Sequence, residues 1–229
     1  FDDRGSDIDT LWVENSTFFN LSARLIRDDG GGINYLKWVK TTCVNLGDRT
    51  LDMGDATEVE VRDNLFHNYA FIGSDEPGVS TFRVDSVDAG TQNVTIRNLN
   101  FSIDSIAFDS AYEQINAEAA VNVDVDSIFY RANLNEDASF FISQAGWDST
   151  ITFEPVTFVN PPMPPSEYVI SFVLDPMNLA LIDQGNGGVG PGEVQMPFDF
   201  SYTASTVVTE GAVDGGPLGD PRWTATTTS

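Results

Sequence analysis

One histidine and one cysteine set the limits of what this chain can do by side-chain chemistry. His67 is the sole imidazole, so a Ser-His-Asp or Cys-His device has one possible base. A zinc site, which needs several Cys and His ligands at fixed spacing, has no set to draw on. Cys43 lies in the apolar run Thr42-Cys43-Val44 and reads as a small core residue rather than a nucleophile. A single thiol closes no internal disulfide. Gly30-Gly31-Gly32 lacks the Lys and Ser/Thr that complete a phosphate-binding loop. With 35 Asp and Glu, some pair of carboxylates will always have the separation that glycoside hydrolysis needs, so such a pair carries no information. Two arginines say more. Arg24 and Arg49 lie 25 positions apart, and in a chain that repeats at that length they would stack on one face. Beside carboxylates such as Asp48 they either clamp an anionic sugar or, the reading favoured here, neutralise their neighbours. Trp12 and Trp38, about one repeat apart, either stack on sugar rings or pack as core aromatics, with the core again favoured.

Those side chains need a scaffold, and the sequence repeats. Trp12-Val13-Glu14-Asn15-Ser16-Thr17-Phe18-Phe19-Asn20-Leu21 is echoed by the segments from Trp38 to Leu46 and from Val59 to Asn68. Each is a short apolar alternation, a polar step, an apolar pair and an Asn. The Asn residues fall at 20, 45 and 68, spacings of 25 and 23, and a fourth copy runs from Asn93 to Ser102. A period in the twenties, with two or three very short strands per unit and no helix-length amphipathic segment, predicts a β-solenoid. Stacked coils would place Val13, Val39, Val61 and Ile96 in one inner ladder. The recurrent Asn would sit at turns, where it tolerates left-handed φ and its amide can bond to stacked neighbours. The fold class expected is all-β, a right-handed parallel β-helix, with coils over 1–103, an insertion over 104–149 and last coils plus a C-terminal capping extension over 150–229. The insertion carries a short helix between Ala111 and Val121. Asn160-Pro161-Pro162-Met163-Pro164-Pro165 reads as a stiff extended linker.

The repeat units resemble secreted parallel β-helix proteins of Bacteroidota, related in fold to pectate lyases. So do Phe1-Asp2-Asp3-Arg4-Gly5-Ser6-Asp7, Leu25-Ile26-Arg27-Asp28-Asp29-Gly30-Gly31, Pro197-Phe198-Asp199-Phe200-Ser201-Tyr202 and the ending Gly215-Gly216-Pro217-Leu218-Gly219-Asp220-Pro221-Arg222-Trp223. The likeness is to the C-terminal part of longer relatives. It implies degradation of acidic polysaccharide with Ca²⁺ held by Asp or Glu and an Arg or Lys as base. Candidates for such an enzyme are Arg24, Arg49, Asp28 and Asp52, with Arg27, Asp29, Asp48 and Asp55 near them. No catalytic residue is assigned beyond that. Asp-Ser/Thr tripeptides are similar to the O-glycosylation acceptor of exported Bacteroidota proteins. They place glycans on Thr10, Ser86, Ser105, Ser110, Ser127 and Ser149. Asn-X-Ser/Thr sequons add Asn15, Asn20, Asn93 and Asn100.

The net charge of −24 repels nucleic acid and anionic membrane, both rich in phosphate, while tolerating Ca²⁺. No run of 18 apolar residues is present. The start at Phe1-Asp2-Asp3 reads as a mature product whose signal peptide was removed. The expectation is therefore an extracellular or cell-surface glycoprotein that self-associates with other copies, without nucleic acid or membrane insertion. The alternative is a lyase, hydrolase or glycan-binding domain for acidic polysaccharide.

Overall fold

The computed structural model describes residues 5–21, 25–27, 31–46, 51–52, 56–69, 82–83, 93–102, 104, 150–162 and 198–228. Four long strands stack in parallel: β1 (Ile8–Leu21), β3 (Ile33–Leu46), β5 (Glu58–His67) and β7 (Asn93–Ser102). A two-residue strand, β8 (Ile151–Thr152), adds a fifth rung beyond β7. A second parallel ladder joins β2 (Ile26–Arg27), β4 (Leu51–Asp52) and β6 (Phe82–Arg83). The chain is a parallel β-helix of about four turns, as its repeat predicts.

Two columns of left-handed residues bend each long strand. Asn15, Lys40, Asp63 and Asn98 form the first, and Asn20, Asn45 and Asn68 the second, all with φ between 51° and 59°. An L-residue enters that region at a cost that Asn and Asp bear best, because a short polar side chain can bond locally. The second column is a ladder of amides. Asn45 Nδ2 donates to Asn20 Oδ1 at 2.8 Å, and Asn68 Nδ2 to Asn45 Oδ1 at 3.0 Å. The main-chain N–H of Asp104 donates to Asn68 Oδ1 at 2.7 Å, and Asn45 Nδ2 also reaches Pro162 O at 2.9 Å.

Inside the coils, like positions stack. Phe18, Cys43, Phe66 and Phe101 form one column and Leu11, Leu36 and Val59 another. The ladder expected through Val39 runs instead through Val13, Trp38, Val61 and Ile96. Val39 pairs with Glu14 and Arg62, on the opposite side of the strand. A one-residue slip in a period-two strand reverses the face. Trp38 is wholly buried, its indole N–H donating to Thr41 Oγ1 at 2.7 Å, whereas Trp12, expected to be core as well, lies on the outside. Asn64 closes the interior polar set, accepting from Thr41 N and donating to Trp38 O.

Beyond β8 the described chain leaves the stack. β9 (Thr157–Asn160), β10 (Asp199–Ala204) and β11 (Ala225–Thr227) make a separate three-stranded sheet, with the single helical turn α1 (Thr206–Thr209) after β10. This unit packs on the outer side of the coil between the two left-handed columns. Val156, Phe158, Phe200, Tyr202, Val208 and Leu218 bury against Val44 and Leu65, with Phe19 beside them. The Gly-Asp-Pro-Arg-Trp ending straps it down. Thr17 Oγ1 accepts from the Trp223 indole at 2.7 Å and donates to Asp220 Oδ2 at 2.7 Å, while Asp220 N donates to Thr42 Oγ1 at 2.9 Å. Gly219 has φ +90°, and a Cβ there would meet Thr42 Oγ1 at 2.5 Å, so only glycine lets the strap approach this closely. Asp63, fully buried, accepts from Gly219 N with its carbonyl and from Val213 N with Oδ1. The expected helix between Ala111 and Val121 and most of the insertion lie outside the described residues.

The amide ladder yields a quantitative expectation. Asn45→Ala deletes three hydrogen bonds, two of them buried, about 1 kcal/mol each, and puts Ala in the left-handed region for about 1 kcal/mol more. Its urea-unfolding free energy should fall by about 4 kcal/mol, and that of Asn20→Ala, with one ladder bond and the same positive φ, by about half as much. Equal losses at the two positions would contradict the ladder.

Candidate functional site on the open face of the coil

The C-terminal sheet covers one stretch of each long strand and leaves the stretch before the first left-handed column. There, outward positions form three columns across the strands. Thr10, Tyr35 and Glu58 make one; Trp12, Lys37, Glu60 and Thr95 the next; Glu14, Val39, Arg62 and Arg97 the third. Lys37 Nζ stands 4.0 Å from the centre of the Trp12 ring and 3.7 Å from Glu14 Oε2, and the Trp12 indole donates to the same carboxylate oxygen at 2.9 Å. Trp12 nevertheless keeps 60% of its surface exposed, the largest apolar side chain so displayed among the described residues. Glu60 accepts from Arg62 Nε at 2.6 Å and from the Tyr35 hydroxyl at 3.2 Å. Arg62 Nη1 also donates to Asp63 Oδ2 at 2.5 Å. Burial works against the charge on Glu60, but the bonds from Arg62 and Tyr35 outweigh it and hold its carboxyl below the usual range. Glu60 is thus kept ionised and is unsuited to donate a proton at neutral pH.

The arrangement can bind more readily than it can react. It offers one aromatic plane, a row of charged donors and acceptors spaced by strand separation, and a rigid backbone beneath. Among the described residues no three His, Cys, Asp or Glu converge as a metal site. Cys43 is buried, and desolvation pushes its thiol up to about 12, which makes it inert. His67 meets Ser102 Oγ with Nδ1 at 2.8 Å, in register across β5 and β7, with Asp104 near. A nucleophilic serine is not set up by this contact, because Ser102 is 5% exposed and the imidazole lies edge-on under Phe158, 5.1 Å between ring centres.

Of the residues singled out from sequence, Arg24, Arg49, Asp28, Asp29, Asp48 and Asp55 lie outside the described residues, as do Ser86, Ser105, Ser110, Ser127 and Ser149. Asp52 pairs by its backbone with Arg27 and Arg83 in the small ladder, away from the open face. Asn93 is placed at the start of β7 by its backbone alone. Thr10, Asn15 and Asn20 are exposed on β1. Asn100 is wholly buried; its amide donates to Glu154 O at 3.0 Å and accepts from Thr152 Oγ1 and Glu154 N, so the folded chain has no room for a glycan there. Tyr35, Lys37, Glu60, Arg62 and Arg97 were not singled out. The signal that finds them is the Asn column: the eighth residues before Asn20, Asn45 and Asn68 are Trp12, Lys37 and Glu60. No helix among the described residues is long and apolar enough to cross a membrane. Comparison with protein-family models, with curated proteins and with solved structures finds no match to the chain.

The buried imidazole makes a pH dependence. Desolvation lowers His67 from 6.5 to about 4, against the opposing field of Asp104, so the folded state holds it neutral. The unfolded chain binds its proton first, and stability present above pH 6.5 is lost as pH falls toward 4. By pH 5 the loss should be about 2 kcal/mol, read as a drop in urea midpoint between pH 7 and 5. In His67→Gln the midpoint should stay flat over that window. A wild-type midpoint independent of pH there would refute the assignment.

Proposed function

We propose that this chain is an extracellular glycan-binding β-helix that holds polysaccharide against the outer face of β1, β3, β5 and β7. The observation that carries the reading is Trp12, 60% exposed on a hydrogen-bonded strand, with Lys37 Nζ over one face of its ring and Glu14 bonded to its indole N–H. An indole plane accepts the C–H face of a sugar ring, and ionised groups around it match hydroxyls. A lone surface tryptophan needs no explanation. This one stands in a column whose next members are Lys37 and Glu60, with Tyr35 and Arg62 bonded to the latter, a surface rich in paired donors and acceptors. With 35 acidic and 11 basic residues, the chain spends a scarce resource by putting Lys37, Arg62 and Arg97 on one face. Acidic polysaccharide, which the likeness to pectate-lyase-like proteins implies, suits those cations.

A second reading, a self-associating surface glycoprotein, draws on β1. It ends the sheet order of the described residues and carries exposed Thr10, Asn15 and Asn20. An unpaired parallel edge is a template for another chain.

Affinity electrophoresis against uronate-rich, sulfated and neutral polysaccharides separates the two. Glycan binding predicts retardation by at least one, weakened about tenfold in Trp12→Ala with the thermal midpoint unchanged. No retardation by any of them, with particle mass growing with concentration in light scattering, would replace the first reading by the second.

A further inference from the structure

We propose that Arg97 is an oxyanion-binding subsite at the β7 end of this face, taking a sugar carboxylate or a sulfate ester. The proposal rests on the reading of the face as glycan-binding, and its ligand chemistry is also within reach of a free inorganic anion.

Four observations lead there. Arg97 Nε is buried and has no hydrogen-bond partner. That atom has no accessible surface and stays out of a ligand's reach, whereas Nη1 and Nη2 are neither buried nor bonded and are the donors a ligand would meet. Arg97 also lies directly across from Arg62 on the neighbouring strand, on the same outward side, since Val61 and Ile96 before them point into the core. Like charges at opposed positions on one face of a sheet repel. Arg62 is already matched by Glu60 and Asp63, and no ion pair reaches Arg97 among the described residues. Finally, the chain carries 35 carboxylates against 11 cations, so an arginine left without one is not for want of acids.

A bound oxyanion on the outer Nη edge answers the points of charge, though it leaves Nε unmet. A guanidinium offers two parallel N–H donors in a planar fork that fits a carboxylate or sulfate edge-on, and the added negative charge relieves the Arg62–Arg97 repulsion. Thr95, outward two residues earlier on β7 and exposed, supplies a hydroxyl beside it. From Trp12 on β1 to the β7 rung is three strand separations, about 14 Å, a span for a short oligosaccharide lying across the strands. Trp12 would hold a ring at one end, and Arg97 would choose an acidic residue at the other. Arg62, tied on both sides, is the positioning neighbour rather than the anion donor.

The test compares wild type, Arg97→Gln and Arg97→Lys by isothermal titration, with circular dichroism to show that the variants fold. The probes are an oligogalacturonate, its neutral oligogalactose counterpart of equal length, and sodium sulfate alone. The expected result is that Arg97→Gln binds the oligogalacturonate about tenfold more weakly and the neutral sugar unchanged. Arg97→Lys should recover only part of the loss, because an ammonium lacks the fork. Binding of sulfate by wild type and not by Arg97→Gln, without any oligosaccharide binding, would uphold the subsite for free anions while overturning the glycan-binding function. Equal affinity of wild type and Arg97→Gln for the oligogalacturonate, or no response of wild type to any of the three probes, would overturn the subsite.

Discussion

Left-handed backbone at matched positions is the constraint on which the rest of this structure depends. A coil of parallel strands must turn corners, and the described bends within the long strands put residues other than glycine at φ of 51° to 59°. Asn20, Asn45 and Asn68 meet that need and then bond to one another, so the residue that makes the bend also fixes the separation and register of neighbouring coils. Strand pairing alone does not specify register strongly, because a slip by two residues preserves the pattern of faces. Side-chain amides donating along the stack leave only one alignment in which every amide has a partner.

The other column has mixed residues because it has a second task. Lys40, Asp63 and Asn98 reach the C-terminal segment, through Asp214, through Val213 and Gly219, and through the Gly211 carbonyl. Bends in the coil therefore serve as anchor points for the unit packed on it. The contacts are specific more than they are strong. Much of their hydrogen bonding runs from strap main chain to coil side chain, and the burial of Phe158, Phe200 and Leu218 against Val44 and Leu65 supplies the apolar drive. Asp220 joins the two. Burial opposes its charge, but Arg222 and Thr17 hold the carboxyl below its usual range, and it sits over the coil in a fully bonded state.

The docked unit divides the outer surface. Between the left-handed columns the outward positions are Thr17, Thr42, Leu65, Phe19, Val44 and His67, and these face protein. Before the first column they include Trp12, Lys37, Glu60, Arg62 and Arg97, which the covering sheet does not take into its core, and Val39, which is wholly buried among them. The open part is thus the part whose composition would be wasteful in a protein interior, with one exposed indole and cations drawn from a small supply.

The sequence by itself determined the repeat, the parallel stacking and the role of the asparagines. A spacing in the twenties and a residue suited to positive φ are local facts that stacking only repeats. It also determined that chemistry based on several histidines or cysteines was closed to this chain. It did not determine the faces. Aligning Trp12 with Trp38 puts Val39 in the inner ladder; counting back from Asn20 and Asn45 instead aligns Trp12 with Lys37 and Trp38 with Val13, as the structure does. A period of two turns a one-residue error into the opposite side of a sheet, so the site was hidden by arithmetic rather than by absence of signal. The docking of residues 198–228 across the coil was decided only by tertiary structure. Thr17, Asp220 and Trp223 are more than 200 positions apart in part of their triad, and no local pattern says that one hydroxyl will serve both partners. The unmatched state of Arg97 likewise belongs to three dimensions, since it depends on which neighbours had already been claimed by Arg62.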